Sequence, residues 1–158
     1  MTRVYLAARY SRLEEMNQYA EQLRALGYTV DARWLLGSHQ LHEGAEEVEA
    51  ATESISMQGQ LFAQDDLDDL EVSNIVICFT EKPRSPESNS RGGRHVELGL
   101  ALMWNHIRSN YLSTVLPRRY MPLKEILIVG PRENIFYCLP EIKRQFNTWS
   151  ECYAYLKP

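Results

Sequence analysis

The chain has 158 residues and a mass of 18.4 kDa, a size that fits one domain over residues 1–158 with a core of its own. Hydrophobic residues at 44% and charged residues at 24%, with 8 Gly and 7 Pro, exclude a collagen, a disordered chain and a disulfide scaffold. A net charge of -4 gives no general pull toward nucleic acid or an anionic bilayer, so neither partner is expected.

The first element is Val4–Ala8, a short apolar run that reads as a strand. The arginines at 3 and 9 flank too brief an apolar stretch for a signal peptide, and no run is long enough to span a bilayer. With Cys78, Cys138 and Cys152 far apart and no C-x-x-C pair, a cytoplasmic protein without structural zinc is expected. Next, Leu13, Met16, Ala20, Leu23 and Leu26 recur at helical spacing and stop at Gly27, a good C-terminal cap. Tyr28–Trp34 reads as a second strand.

From Trp34 to Glu81 there are eleven Asp or Glu and no Lys or Arg, leaving ten acidic and seventeen basic residues elsewhere. Within this acidic part, residues 45–72 read as one or two helices broken near Gly59, ending in Asp65, Asp66, Asp68 and Asp69. His39 and His42 lack a third ligand in reach, and no metal site is expected. Asn74–Phe79 reads as a third strand, and the polar stretch 81–93 as a long loop. A helix follows Gly93, with Val96, Leu100, Met103 and Ile107 at its spacing, and Glu125–Val129 is a fourth strand.

Strands that alternate with helices imply an α/β fold: a single-domain Rossmann-like or flavodoxin-like parallel sheet with helices on both faces. Ligands bind such sheets at the carboxyl ends of the strands, which here are Ala8–Ser11, Thr80–Arg94 and the loop after Val129. In SRGGRHVELG, residues 90–99, Gly92 and Gly93 permit close backbone approach, and the helix start offers free N–H groups to an anion. The pattern is neither a phosphate loop nor a dinucleotide fingerprint. His95-Val96-Glu97 has the spacing of the zinc-deaminase H-x-E, but the P-C-x-x-C that this chemistry needs is missing. Spacing alone does not choose between Glu97 and the aspartates as reactive groups.

RVYLAARYSR, DDLDDLEVSNIVICF and GGRHVELGLAL, in that order and spacing, resemble the three signature segments of the nucleoside 2-deoxyribosyltransferase family and its 2'-deoxynucleoside 5'-phosphate N-hydrolase relatives. The resemblance covers about residues 3–105. It implies that Glu97 is the nucleophile at the anomeric carbon, that Asp66 handles the base or its proton, and that Tyr5 orients the nucleophile. Retaining glycosyl chemistry needs two such groups, one to trap an oxocarbenium-like centre and one to protonate the leaving group. Six positions before the nucleophile, where the transferases are acidic, stands Arg91; with Arg84 and Arg94 it makes a basic loop suited to an anionic substrate.

The expected substrate set is therefore Ala8, Arg9, Gly92, Gly93, Arg94 and Arg91, around a (deoxy)nucleoside 5'-monophosphate whose base is released by hydrolysis. Base exchange between nucleosides is the alternative, and a non-catalytic nucleotide-sensing module a more distant one. No cofactor is expected, and the resemblance implies a homodimer.

Overall fold

A computed structural model describes residues 1–37, 54–81, 93–112 and 122–158. Four strands form one parallel sheet in the order β1 (Val4–Ala7), β2 (Ile75–Phe79), β3 (Glu125–Val129) and β4 (Ile142–Phe146). The first three are near-continuous apolar runs because both faces of a parallel sheet are covered; every residue of β1 and β2 is buried. Tyr5 pairs with Val76 and Ile77 with Leu127, so the pleat sends Tyr5, Ala7, Val76 and Cys78 to one face and Leu6, Ile77 and Phe79 to the other.

Among the described residues four α-helices cover the sheet: α1 (Leu13–Ala25), α2 (Ser54–Val72), α3 (Gly93–Asn110) and α4 (Trp149–Leu156). On the Phe79 face, Tyr19 of α1 stacks on Trp149 of α4 with ring centroids 4.4 Å apart, and both lie against Phe79. On the other face Tyr5 and Cys78 meet α3. The expected α/β architecture, a parallel sheet with helices on both faces, is the one observed.

Helix α1 ends as its sequence requires. Gly27 takes φ +89°, its N–H donates to Arg24 O and that of Tyr28 to Leu23 O, so the last turn closes on its own carbonyls. α2 runs unbroken through Gly59, while residues 45–53 lie outside the described part, as do His39 and His42.

Two expectations need correction. Tyr28–Trp34 is not a strand: a single bridge pairs Thr29 with Arg3 on the outer edge of β1, and Arg33–Leu36 then forms a 3-10 turn. The Trp34 indole N–H donates to Leu6 O at 3.0 Å and Arg33 reaches α2, so these two side chains turn the segment away from the sheet edge. In α3 the buried face is Arg94, Leu98, Ala101, Leu102, Asn105 and Arg108, whereas Val96 is 62% and Met103 54% exposed. Two arginines and an asparagine on the inward stripe hid it from a reading that followed apolar residues alone.

β4 and α4 were not expected. β4 (IKRQF) is an edge strand with three exposed central residues, so it carries no apolar run. At β3's end Gly130 adopts φ +119°, and a Cβ there would lie 2.5 Å from Thr80 O, so only glycine lets the two strand ends approach.

Candidate active site

The carboxyl ends of β1, β2 and β3 open beside the start of α3, and there three residues from distant parts of the sequence come together. Tyr5 is buried in β1, and its hydroxyl donates to Glu97 Oε1 at 2.8 Å. Glu97 lies one turn into α3, where the positive end of the helix faces it. Its other oxygen, Oε2, is shielded from solvent and has no hydrogen-bond partner among the described residues. Asp66, half-buried on α2, is close enough for its charge to act on both residues.

Burial pushes the Glu97 carboxyl up, and the charge of Asp66 pushes it further. The Tyr5 hydrogen bond and Arg94 pull the other way, leaving it at about 8. Burial, with the charges of Glu97 and Asp66, holds the Tyr5 hydroxyl well above its ordinary range, so it stays a donor. With Glu97 held at about 8, that carboxyl keeps a proton near neutral pH, beside the carboxylate of Asp66 whose charge acts on it. One group can then attack while the other delivers a proton.

The four aspartates of α2 do not act as one group. Asp65, Asp68 and Asp69 meet the Arg33 guanidinium, whereas Asp66 stands on the side that faces Glu97. The i, i+3, i+4 spacing of the first three puts them on one face, with Asp66 turned about 100° from Asp65.

A second cluster borders the trio. Arg94 has a side chain only 2% exposed, and its Nη2 donates to both oxygens of Glu133, at 2.9 and 2.8 Å. Its Nε and Nη1 are buried without a hydrogen-bond partner among the described residues. Glu133 also accepts from Glu81 N and stands 3.0 Å from His95 Nε2. Burial, aided by Arg94 and opposed by Glu133, lowers the His95 pKa, so the ring is neutral near pH 7. The tautomer that fits donates from Nε2 to Glu133 and accepts at Nδ1 from Tyr137 OH, 2.8 Å away. Cys78, 3.7 Å from that hydroxyl, has its thiol pushed up by burial to about 12 and is unreactive.

Ala8 and Arg9 follow β1, half-buried, with Arg9 Nη1 3.3 Å from Glu81 Oε2 and Arg9 Nε buried without a hydrogen-bond partner among the described residues. Gly93 begins α3 with open space where a Cβ would stand. Arg84, Arg91 and Gly92 lie outside the described residues. Sequence reasoning missed Glu81, Glu133 and Tyr137; the first and second sit just past strand ends, where a reading of strand termini as charged positions would have found them. Among the described residues no cluster of His, Cys, Asp and Glu is arranged to hold a metal ion, and no helix is long and apolar enough to cross a membrane.

No protein-family model matches the chain, and no curated protein matches its sequence. Solved structures do. A 2-deoxyribosyltransferase from the psychrotolerant bacterium Bacillus psychrosaccharolyticus superposes with a TM-score of 0.57 at 15% identity, over 96% of this chain and 90% of that one. The CMP N-glycosidase BcmB of Clostridium botulinum superposes with a TM-score of 0.52 at 16% identity, over 99% of this chain and 100% of that one. The chain shares the fold of both. At such identity the likeness speaks for the fold, and the chemistry has to be argued from the residues.

Proposed function

We propose that the protein is an N-glycosidase that hydrolyses the base–sugar bond of (deoxy)nucleoside 5'-monophosphates through a glycosyl intermediate on Glu97. The observation that carries this reading is the Tyr5–Glu97–Asp66 trio, in which one Glu97 oxygen is held by a hydroxyl and the other is buried with nothing to bond. That is the condition of a carboxylate whose natural partner is a substrate atom. The two structural relatives, a deoxyribosyltransferase and a CMP N-glycosidase, also make N-glycosidic bonds the first chemistry to test.

In the first step Glu97 Oε2 bonds to the anomeric carbon as the C–N bond breaks, and the proton held by the carboxyl pair passes through Asp66 to the departing base. In the second, water attacks the anomeric carbon and gives its proton to Asp66. The sugar–Glu97 bond breaks with its electron pair returning to the carboxylate, which restores the site. Two displacements retain configuration at the anomeric carbon. Tyr5 holds Glu97 Oε1, which leaves Oε2 to the sugar.

The phosphate is read at the start of α3. Gly93 supplies backbone N–H, the buried Nε and Nη1 of Arg94 and the Nε of Arg9 are donors without an acceptor, and Gly92 and Arg91 complete the set with Ala8 lining the approach. The homodimer belongs to the same proposal: Val96, Leu100 and Met103 form an exposed apolar row along α3 that a second copy would cover, and a monomer mass by light scattering contradicts it.

The test is a panel of nucleosides and 5'-monophosphates, each incubated with and without a second free base, with separation of products. Free base and sugar phosphate support hydrolysis, and a new nucleotide moves base transfer to first place. No cleavage of any substrate, or undiminished cleavage by Glu97→Ala, overturns the reading.

A further inference from the structure

The 3-10 turn Arg33–Leu36 is fixed on two sides before it reaches the site. Trp34, buried, donates its indole N–H to Leu6 O in β1, next to Tyr5, and Leu35 O accepts from the Asn17 side chain of α1 at 3.0 Å. From this platform Arg33 extends to α2. Its backbone N–H donates to Asp69 Oδ2 at 2.6 Å and its Nε to Asp69 Oδ1 at 3.0 Å. Its Nη1 pairs with the Asp65 carboxylate, its Nη2 donates to Asp65 O at 2.7 Å, and Asp68 Oδ2 stands 3.5 Å from Nη2.

One guanidinium therefore grips α2 by side chains and by a backbone carbonyl, on the residues immediately before Asp66 and three after it. Such a forked grip fixes the rotation of the helix about its axis as well as its distance, which a single point charge would not do. The same turn is bonded to the strand that carries Tyr5. A rotation of α2 by one residue's angle would carry Asp66 out of reach of Glu97.

We infer that Arg33 is a positioning residue: the Arg33–Trp34 turn is the strut that sets Asp66 against the Tyr5–Glu97 pair, and its single positive charge offsets part of the negative charge of Asp65, Asp68 and Asp69. This inference rests on the N-glycosidase reading for its kinetic consequences, not for its geometry. Among the described residues the groups that face Glu97 are Tyr5 from β1, Cys78 from β2, Asp66 from α2 and Arg94 from its own helix, with Asp69 felt at Tyr5. Loss of Arg33 adds uncompensated negative charge on the α2 side alone, which makes Glu97 harder to ionise.

The experiment compares Arg33→Met and Arg33→Lys with the unaltered protein on the substrate found in the panel. In Arg33→Met, kcat falls by about 10–100-fold, the scale of a misplaced reacting group. KM changes less than about twofold, and the acidic limb of the pH–rate profile moves to higher pH. Arg33→Lys, which keeps the charge without the fork, restores the limb while kcat stays low. Failure of Arg33→Met to fold leaves Arg33→Lys to decide, and a kcat for the lysine variant within twofold of the unaltered protein overturns the inference.

A substrate-free measurement separates this inference from its parent. Glu97→Gln is introduced alone and together with Arg33→Lys or Arg33→Met, and unfolding free energies are taken at pH 5 and 9. The alkaline gain from Glu97→Gln is larger in the methionine background than in the lysine background; equal gains overturn the electrostatic half of the inference even where no substrate is turned over.

Discussion

Glu97→Gln tests the ionisation of the proposed nucleophile without any substrate. In the folded protein the carboxyl titrates at about 8 against an ordinary 4.5, so between those values the folded state holds a proton that the unfolded chain has released. Stability falls with rising pH wherever the folded state binds more protons, so Glu97 weakens the fold progressively from pH 4.5 to 8. At ~1.4 kcal/mol for each tenfold change in proton affinity, the ceiling on this loss is about 5 kcal/mol. Coupling to Asp66 and partial solvent access bring the expected loss to about 2 kcal/mol.

Glutamine has the shape of the neutral acid, its amide oxygen still accepts from Tyr5, and it does not titrate. Urea unfolding of both proteins at pH 5 and 9 gives four free energies. The loss from pH 5 to 9 is smaller in Glu97→Gln by about 2 kcal/mol, seen in thermal melts as about 4–8 °C for a chain of this length. Every other titratable group is present in both proteins, so its contribution cancels in the comparison. Identical pH dependence in the two proteins refutes the raised, half-buried Glu97 carboxyl beside Asp66.

Tyr5→Phe removes the hydroxyl that stabilises ionised Glu97, so the acidic limb of the rate profile moves to higher pH and kcat falls about 10–100-fold, the equivalent of a hydrogen bond to a charged group. Asp66→Asn harms natural substrates far more than analogues whose base leaves readily; equal losses on both leave Asp66 outside proton transfer. Arg94→Lys keeps a cation for Glu133 but gives up the Nε and Nη1 donors. It raises KM for the monophosphate about tenfold, with little change for the matching nucleoside. Gly130→Ala places a Cβ 2.5 Å from Thr80 O at a positive φ and costs about 2–4 kcal/mol by denaturant unfolding; a loss below 1 kcal/mol means that the strand ends can part.

Much of the fold was legible because parallel strands buried on both faces leave continuous apolar runs, and Val4–Ala7, Ile75–Phe79 and Glu125–Val129 are such runs. Tyr28–Trp34 has the same local look, yet two side-chain contacts made over long sequence distances, Trp34 to Leu6 and Arg33 to Asp69, decide its path. Local propensity holds no information about either. β4 escaped notice since an edge strand need bury little, although the T-x-x-E of Thr148–Glu151 marks the helix after it: Thr148 Oγ1 accepts from Glu151 N and Glu151 Oε2 from Asn147 N.

In the candidate site, spacing left Glu97 and the four aspartates equivalent, and the resemblance singled out Glu97 and Asp66. In the folded chain Arg33 engages Asp65, Asp68 and Asp69, whereas the charge of Asp66 acts on Glu97. Arg94 read as a free phosphate ligand in the sequence; its partner Glu133 lies beyond β3, so only the fold reveals that one of its nitrogens is already engaged.

The central claim is a covalent glycosyl–Glu97 intermediate, and mass spectrometry of the trapped enzyme tests it most directly. A 2-deoxy-2-fluoro analogue of the preferred monophosphate slows breakdown of the intermediate by destabilising the oxocarbenium-like transition state. After digestion, the peptide containing Glu97 carries the mass of the fluorinated sugar phosphate, and Glu97→Gln carries none. An adduct on Asp66, or full turnover of the analogue's parent by Glu97→Gln, contradicts the account.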